Sequence, residues 1–134
     1  MIKYDKMINN KIRVSVIIPT YNRARDLERC LNSLLQQTLK DFETIVINNG
    51  CTDETSNVVQ RHPVKVISDL TRNVTHLFNI GWQNAEGEII VFTNDDAEAE
   101  PSWLENIMDT FQRFEDAAAV GGPTIVPEQI LHHQ

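Results

Sequence analysis

The sequence has little of what small secreted, membrane-spanning or nucleic-acid-binding proteins depend on. Its two cysteines, Cys30 and Cys51, are too few and too scattered for a disulfide framework or a zinc site. No apolar run approaches the ~20 residues of a membrane-spanning helix. Its 12 basic residues form no stripe and are outnumbered by 19 acidic ones, which weighs against nucleic acid as a partner.

What remains is the composition of an ordinary globular domain. The 134 residues are 41% hydrophobic and 23% charged, which favours one compact domain. We divide the chain into a lead-in (1–12), a domain (13–126) and a tail (127–134). The lead-in is polar and lacks the apolar core of a signal peptide. We therefore expect a cytoplasmic protein, with the inner face of the membrane as the alternative location.

Strand-like and helix-like patterns alternate along the domain. Short apolar runs predict strands at 14–18, 43–47, 64–67 and 88–92, and a fifth strand, or two fragments of one, within 117–126. Apolar residues at helical spacing predict helices at 24–37, 53–61, 74–85 and 101–114. This alternation is typical of an α/β fold, with a mostly parallel sheet and helices on both faces.

Local signals predict several details of these elements. Pro19 should end the first strand, and Asn22 should cap the first helix. Asp53 should be an acid of the second helix's first turn rather than a ligand. For the third helix the apolar stripe consists of Val74, Leu77, Phe78 and Trp82, and Gly81 on the same face should permit close packing.

The strand at 88–92 runs into Asn94, Asp95 and Asp96, and its apolar character predicts burial on both faces. Ligands of open α/β sheets bind at the carboxyl ends of strands. Carboxylate and amide oxygens suit Mg²⁺ or Mn²⁺, which usually bind through one or two carboxylates plus substrate phosphates. The tripeptide alone is equally compatible with a helix-capping loop.

Three polar loops follow three predicted strands, at 20–23, 48–53 and 94–96. Because parallel strands all end at one edge, these loops should meet there and form one site. The individual residues are less specific. Asn48 and Asn49 suit either a nucleotide base or a plain turn. Tyr21 suits either a stacked base or a half-buried position, and Arg23 and Arg72 suit either phosphate or solvent.

Taken in order, several segments resemble family 2 glycosyltransferases, and the resemblance covers about residues 12–126. The first is VSVIIPTYN at 14–22, and the segment GCTDET at 50–55 follows it. Shorter matches are LNSL at 31–34, QT at 37–38, DFE at 41–43, NIG at 79–81, AEGEII at 85–90 and FTNDDA at 92–97. The pieces are weak individually, but the series in this order and spacing is specific.

The resemblance implies a GT-A fold and a UDP-, GDP- or dTDP-sugar donor held with Mn²⁺ or Mg²⁺. Asp96, with Asp95 beside it, matches the Asp-x-Asp motif that places the metal on the donor diphosphate. The implied substrate-binding residues are Pro19, Thr20, Tyr21, Asn22, Arg23, Asn48, Asn49, Asn79, Asn94 and Asp95. Among these, Asn48 and Asn49 match positions that contact the base.

Three positions depart from the family pattern. Asn48 and Asn94 each stand where the family usually has an acid, and Phe78 stands where many members have an arginine. An amide oxygen remains a possible metal ligand or base contact, but it carries no charge. We therefore expect weaker ion binding when no donor is bound, and we leave the identity of the nucleotide base open.

The resemblance also implies a later acceptor half with the catalytic base, for which we identify no residue. Inverting transfer to an acceptor hydroxyl needs such a carboxylate, so we interpret the chain as mainly the donor-binding half. The alternative is a non-catalytic nucleotide-sugar-binding or assembly module with a degenerate site. A nucleotidyltransferase is disfavoured because no Gly-rich loop follows the first strand. An exposed sheet edge would favour association of two copies.

Overall fold

The computed structural model describes residues 11–126, so most of the predicted lead-in and the whole predicted tail lie outside the described residues. Strands and helices alternate as the sequence predicts. In chain order the elements are β1 (Val14–Thr20), α1 (Ala24–Leu35), β2 (Phe42–Asn48), α2 (Thr55–Gln60), β3 (Lys65–Ser68), α3 (Val74–Gln83), β4 (Ile89–Phe92) and α4 (Trp103–Arg113). None of the helices in 11–126 has the length and apolar character needed to cross a membrane.

The four strands form one parallel sheet in the order β3-β2-β1-β4. The chain therefore proceeds outward from β1 through β2 to β3, then crosses back to place β4 on the other side of β1. Such a reversal leaves a crevice at the carboxyl ends of the two strands on either side of it. In this protein the crevice lies between the ends of β1 and β4.

β1 is the centre of the sheet, and six of its seven residues are buried. Pro19 was expected to end the strand, but β1 continues through Thr20. Ile17 accepts a hydrogen bond from the Thr93 backbone on the β4 side, and residue directions alternate along a strand. Pro19, two residues further on, faces the same side of β1, where the pairing with β4 has already ended at Ile17. The N–H that proline lacks would have no strand partner there, so its absence breaks no hydrogen bond between strands.

One face of the sheet is covered by α1, α2 and α4. The buried side chains of this face come from alternate positions of the strands and from one stripe of each helix. They include Val14, Val16, Ile18 and Val46 from the sheet, and Leu27, Leu31, Leu34, Val58, Leu104 and Met108 from the helices. The apolar stripe predicted for α1 is confirmed at Leu27, Leu31 and Leu34 but is wrong at Leu35, which is 46% exposed. Leu104 and Met108 are buried, as the helical spacing of α4 predicts.

The other face is covered by α3, the only helix that packs there within residues 11–126, and it buries fewer residues: Ile17, Ile45, Ile47 and Leu77. The packing here is close, because a Cβ atom added at Gly81 would lie 2.3 Å from Cγ2 of Ile17. The predicted role of Gly81 is thus confirmed, and so are helices on both faces. The apolar stripe predicted for α3 is only partly right, since Val74 and Trp82 are 62% and 48% exposed.

Two predictions about strands are wrong. β4 is not buried on both faces, because only Val91 is fully buried and Phe92 is half exposed. The predicted fifth strand does not form within 117–126. That run is interrupted by Gly121, Gly122 and Pro123, which disfavour a strand, and it pairs with none of the four described strands.

Candidate functional site

The loops that follow the strands meet at the carboxyl edge of the sheet, as predicted. There they enclose a cleft of about 440 Å³. The register explains the convergence, since Thr20 at the end of β1 lies opposite Asn48 at the end of β2. The cleft is lined by Pro19, Thr20, Tyr21, Arg23, Asn49, Arg72, Asn73, Val74, Leu77, Asn94, Asp95 and Asp96.

Asp95 is the buried acid of the cleft, and its side chain is only 9% exposed. Its Oδ2 accepts a hydrogen bond of 2.9 Å from the Thr20 hydroxyl, and its Oδ1 lies 3.6 Å from the Arg23 guanidinium. Burial raises the pKa of the Asp95 carboxyl, although Thr20 and Arg23 act in the opposite direction. Asp95 therefore joins the end of β1 to the loop after β4.

Asp96 is the exposed acid, with 51% of its side chain open to solvent. Its Oδ2 lies 3.2 Å from Arg23, at the mouth of the same cleft. Since an arginine that contacts both acids lowers the local negative charge, the pair is partly neutralised within the protein itself. We call Thr20, Arg23, Asp95 and Asp96 the acidic side of the cleft.

The residues that follow β2 and β3 form the opposite side, and we call Asn49, Arg72 and Asn73 the amide side. Asn49 donates from Nδ2 to the carbonyl oxygens of Asp69 (2.7 Å) and Thr71 (2.9 Å). It therefore holds the loop after β3 against the loop after β2. Asn73 caps α3, because its Oδ1 accepts a hydrogen bond from the His76 backbone.

Asn48 does not line the cleft. Its Oδ1 accepts a 2.8 Å hydrogen bond from the Cys51 N–H, the local contact by which asparagine commonly shapes a turn. The amide therefore shapes the loop that follows β2. Its implied contact with a base stays a prediction.

Tyr21 and Arg72 form a pair at the cleft. The Arg72 guanidinium carbon lies 4.7 Å from the centre of the Tyr21 ring, and Arg72 donates to the Tyr21 hydroxyl at 3.2 Å. Such a cation–π contact holds both side chains in place while leaving guanidinium donors available. The pair thus combines an aromatic surface with a positive charge.

Asn22 links the first two loops rather than capping a helix. Its Oδ1 accepts a 2.7 Å hydrogen bond from the Thr52 N–H, and its own N–H donates to the Cys51 sulfur at 3.3 Å. Its φ of 49° lies in the left-handed region, which asparagine tolerates. The predicted cap is wrong, because Arg23 occupies the N-cap position and makes no side-chain capping bond there.

Asp53 provides the capping contact that Asn22 was expected to make. Its Oδ2 accepts from the Ala24 N–H at 3.0 Å, and its Oδ1 accepts from the Thr55 N–H and hydroxyl. Burial opposes ionisation, but the hydrogen bonds from Thr55 and Ala24 outweigh it and lower the pKa of Asp53. Asp53 precedes α2 instead of lying in its first turn, and it ties α2 to the start of α1.

Neither cysteine has the surroundings of a nucleophile. Burial, followed by the charges of Asp95 and Asp96, raises the pKa of the Cys30 thiol to about 12. Cys30 therefore remains a thiol at neutral pH, with its sulfur 3.6 Å from the Asn94 carbonyl oxygen. Cys51 lies between the first two loops, 3.6 Å from the Thr20 carbonyl oxygen.

The cleft brings together eight of the eleven residues predicted for the site: Pro19, Thr20, Tyr21, Arg23, Asn49, Asn94, Asp95 and Asp96. It does not include Asn22, Asn48 or Asn79. Asn79 lies on α3, where its Oδ1 accepts a hydrogen bond from the Trp82 indole. Their contacts with substrate stay predictions.

The sequence interpretation missed Asn73 at the end of the loop after β3 and Val74 and Leu77 of α3, and it left Arg72 undecided. A signal for them was present. β3 is parallel to β2, so the loop after it and the start of α3 lie at the same edge as the other three loops.

A divalent cation is implied by the family resemblance, and the acidic side is compatible with one. Asp95 and Asp96 offer two carboxylates, and residues 11–126 contain no group of three or more acids, histidines or cysteines that could enclose an ion. An ion bound partly by substrate phosphates needs no such cage. The exposed Asp96 has the position for that kind of site.

Comparison with known proteins extends these observations. The model of the family described as "Glycosyl transferase family 2" matches residues 15–132. A glucosyl-dolichyl phosphate glucuronosyltransferase from Haloferax volcanii is 30% identical over 126 residues, which are 89% of this chain and 40% of that protein. The chain thus spans less than half the length of this relative.

Two solved structures share the fold. S. aureus TarS in complex with UDP-GlcNAc superposes with a TM-score of 0.71 and 25% identity, over 84% of this chain and 37% of TarS. A mannosyltransferase from Pyrobaculum calidifontis, in complex with GDP-Man and Mn²⁺, gives 0.70 and 28%, over 81% of this chain and 34% of that enzyme. The predicted GT-A fold is confirmed. With a family model that matches most of its length, the chain belongs to glycosyl transferase family 2.

Proposed function

We propose that this chain is the donor-binding part of a glycosyltransferase and binds a nucleotide-diphosphosugar together with a divalent cation. The observation that carries the proposal is the half-exposed carboxylate of Asp96 at the mouth of a polar cleft, directly beside the buried Asp95. Family membership and the printed complexes of two structural relatives, one with UDP-GlcNAc and one with GDP-Man and Mn²⁺, support it.

In this proposal Asp96 holds Mn²⁺ or Mg²⁺, and Asp95 supports the loop that presents it. When bound, the ion stabilises the negative charge that develops on the departing diphosphate. Asp96 suits this role because its carboxylate is accessible from the cleft, whereas Asp95 is enclosed by Thr20 and Arg23.

The nucleotide lies across the remaining lining. The Tyr21 ring offers a surface for stacking, and Asn49 keeps its Oδ1 for a base or ribose because its Nδ2 serves the loop after β3. Arg23 and Arg72 are the two cations of the cleft lining, so they contact the diphosphate. These contacts suit a nucleoside diphosphate in general, so we test UDP, GDP and dTDP alike.

Transfer to an acceptor hydroxyl requires a general base, and we propose that residues outside those described supply it. Only two acids, Asp95 and Asp96, line the described cleft. One is bonded to Thr20 and the other is assigned to the ion. Inversion at the transferred sugar carbon follows if that base activates the acceptor for direct displacement.

Calorimetric titration of UDP, GDP and dTDP, each with and without Mn²⁺, tests the proposal. We expect one nucleotide to bind in a Mn²⁺-dependent way. Asp96→Asn should weaken that binding roughly tenfold or more, which corresponds to about 1.4 kcal/mol or more, because the ion loses a charged ligand. Asp109→Asn, at an exposed position on α4, is the matched control and should change nothing. Absence of Mn²⁺-dependent binding for all three nucleotides would contradict the proposal.

A non-catalytic module is the second candidate, and the engagement of Asn48 with Cys51 favours it, because that amide is already used within its own loop. A module of this kind would bind nucleotide without metal, and Asp96→Asn would leave its affinity unchanged. The same titrations therefore separate the two functions.

We also propose that the isolated chain associates through β4, which has a partner on one side only within residues 11–126. An open strand edge presents unpaired backbone groups to a second copy. Light scattering should give a dimer, and a monodisperse monomer would contradict this proposal.

A further inference from the structure

Arg23 already occupies the place where a cation is expected. Its guanidinium lies 3.2 Å from Oδ2 of Asp96 and 3.6 Å from Oδ1 of Asp95. It is the only basic side chain that pairs with either acid in residues 11–126. A divalent ion at Asp96 would approach the carboxylate that Arg23 contacts.

The net charge of the site explains why Arg23 and a divalent ion conflict. Two carboxylates and one guanidinium leave one net negative charge, and a divalent ion would reverse that sign while lying next to the arginine. Like charges at such distances repel, more strongly near partly buried groups than in bulk water. The donor diphosphate would remove the conflict, because it brings negative charge for both cations.

Arg23 is free to move between these partners. Its side chain is 54% exposed, and the residue stands at the N-cap of α1 without a side-chain capping bond. Asp53, not Arg23, provides the contact that caps the first turn of α1. A change in the position of the guanidinium therefore disturbs no other described contact of the helix start.

We propose that Arg23 competes with the divalent cation for Asp96 and moves to the diphosphate when the donor binds, so that metal and nucleotide bind cooperatively. The proposal rests on the metal-dependent donor binding proposed above and assigns Arg23 a positioning role in it. Cooperativity of this kind is reciprocal, so the nucleotide raises metal affinity by the same factor as the metal raises nucleotide affinity.

Titration of the 134-residue chain with Mn²⁺, followed by the electron paramagnetic resonance signal of free Mn²⁺, tests this without an activity assay. The wild-type chain should bind Mn²⁺ weakly alone and more tightly with the nucleotide that calorimetry identifies. Arg23→Gln should bind Mn²⁺ alone roughly two- to fivefold more tightly, as expected for removal of an exposed ion pair. The factor by which the nucleotide raises Mn²⁺ affinity should be smaller in Arg23→Gln than in the wild type, by roughly two- to fivefold or more.

Two further variants complete the experiment. Arg25→Gln removes the same charge from an exposed position two residues along, and it should behave like the wild type. Arg23→Lys keeps the positive charge but lacks the planar guanidinium group that can contact both carboxylates. Its Mn²⁺ affinity should lie between those of the wild type and Arg23→Gln. Far-UV circular dichroism establishes that each variant is folded before titration.

The outcomes separate the two proposals. If the wild type shows nucleotide-dependent Mn²⁺ binding and Arg23→Gln binds Mn²⁺ alone no more tightly, the competition is refuted and the proposed function stands. If Arg25→Gln tightens Mn²⁺ binding as much as Arg23→Gln, the effect is one of overall charge and the competition is again refuted. If the wild type binds no Mn²⁺ with any of the three nucleotides, both proposals fail.

Discussion

The two sides of the cleft use their polar side chains differently. On the acidic side Asp95 is enclosed by Thr20 and Arg23, while the neighbouring Asp96 keeps half of its side chain in solvent. On the amide side Asn49 donates to the loop after β3, and Asn73 accepts from the first turn of α3. The difference separates side chains that are used within the protein from the one acid of the cleft that remains largely open to solvent.

The comparison also explains how adjacent residues come to differ. Asp95 and Asp96 are neighbours in the chain, but one faces the end of β1 and the other faces the cleft mouth. A buried polar group contributes to stability through its partners, whereas an exposed acid contributes little and remains available. Stability and ligand binding should therefore be separable by mutation at these two positions.

The largest stability effect should come from Asp95→Ala. Its loss leaves the Thr20 hydroxyl, which is buried, without its acceptor, and this should lower the free energy of unfolding by about 1–3 kcal/mol. Asp96→Ala should change it by less than about 0.5 kcal/mol, because that acid is exposed. Urea unfolding followed by circular dichroism measures both.

A rescue variant sharpens this test. Asp95→Asn keeps a side-chain acceptor for Thr20 and should restore most of the lost stability at neutral pH. Because burial raises the pKa of Asp95, the pH-dependent part of its contribution is present in acid and is lost as the pH rises through the folded-state value, whereas the hydrogen bond from Thr20 remains. An amide does not titrate, so Asp95→Asn should show no such pH dependence. Equal destabilisation by Asp95→Ala and Asp96→Ala would erase the distinction between the two acids.

On the amide side, Asn49→Ala should lower the free energy of unfolding by about 1–2 kcal/mol, because two carbonyl oxygens lose their donor. Hydrogen exchange of the backbone around residues 69–73 should speed up as the loop loosens. Asn106→Ala, on the exposed surface of α4, is the matched control and should be nearly neutral. Unchanged exchange in the Asn49 variant would show that the loop after β3 is held by other contacts.

A smaller and pH-dependent effect is expected at Asp53. Replacement by Asn leaves one acceptor oxygen for the contacts with Ala24 and Thr55. At neutral pH it should cost less than replacement of a capping residue by Ala, which costs about 1 kcal/mol. Since the folded-state pKa of Asp53 is lowered, its contribution is present above the usual value of 3.8 and is lost as the pH falls through the folded value.

Thermal unfolding between pH 7 and pH 3 measures this dependence. The difference in stability between wild type and Asp53→Asn should shrink in acid, while Asp109→Asn should show no such trend. A difference that stays constant with pH would mean that ionisation of Asp53 does not contribute to these contacts.

Local patterns in the sequence were sufficient for the alternation of strands and helices, for most of the stripes of α1 and α4 and for the meeting of three loops at one edge. Apolar spacing reflects burial of one face of an element, and parallel strands necessarily end together. Gly81 was identified for the same reason, because a missing side chain on an apolar face signals close packing.

Non-local contacts determined the rest. Strand order placed β1 at the centre and β4 at an edge, although the apolar run of β4 suggested a buried position. Hydrogen bonds between distant loops made Asp53 the capping residue, enclosed Asp95 and left Asp96 exposed. No local pattern contains this information, because exposure and partner choice depend on which segments the folded chain brings together.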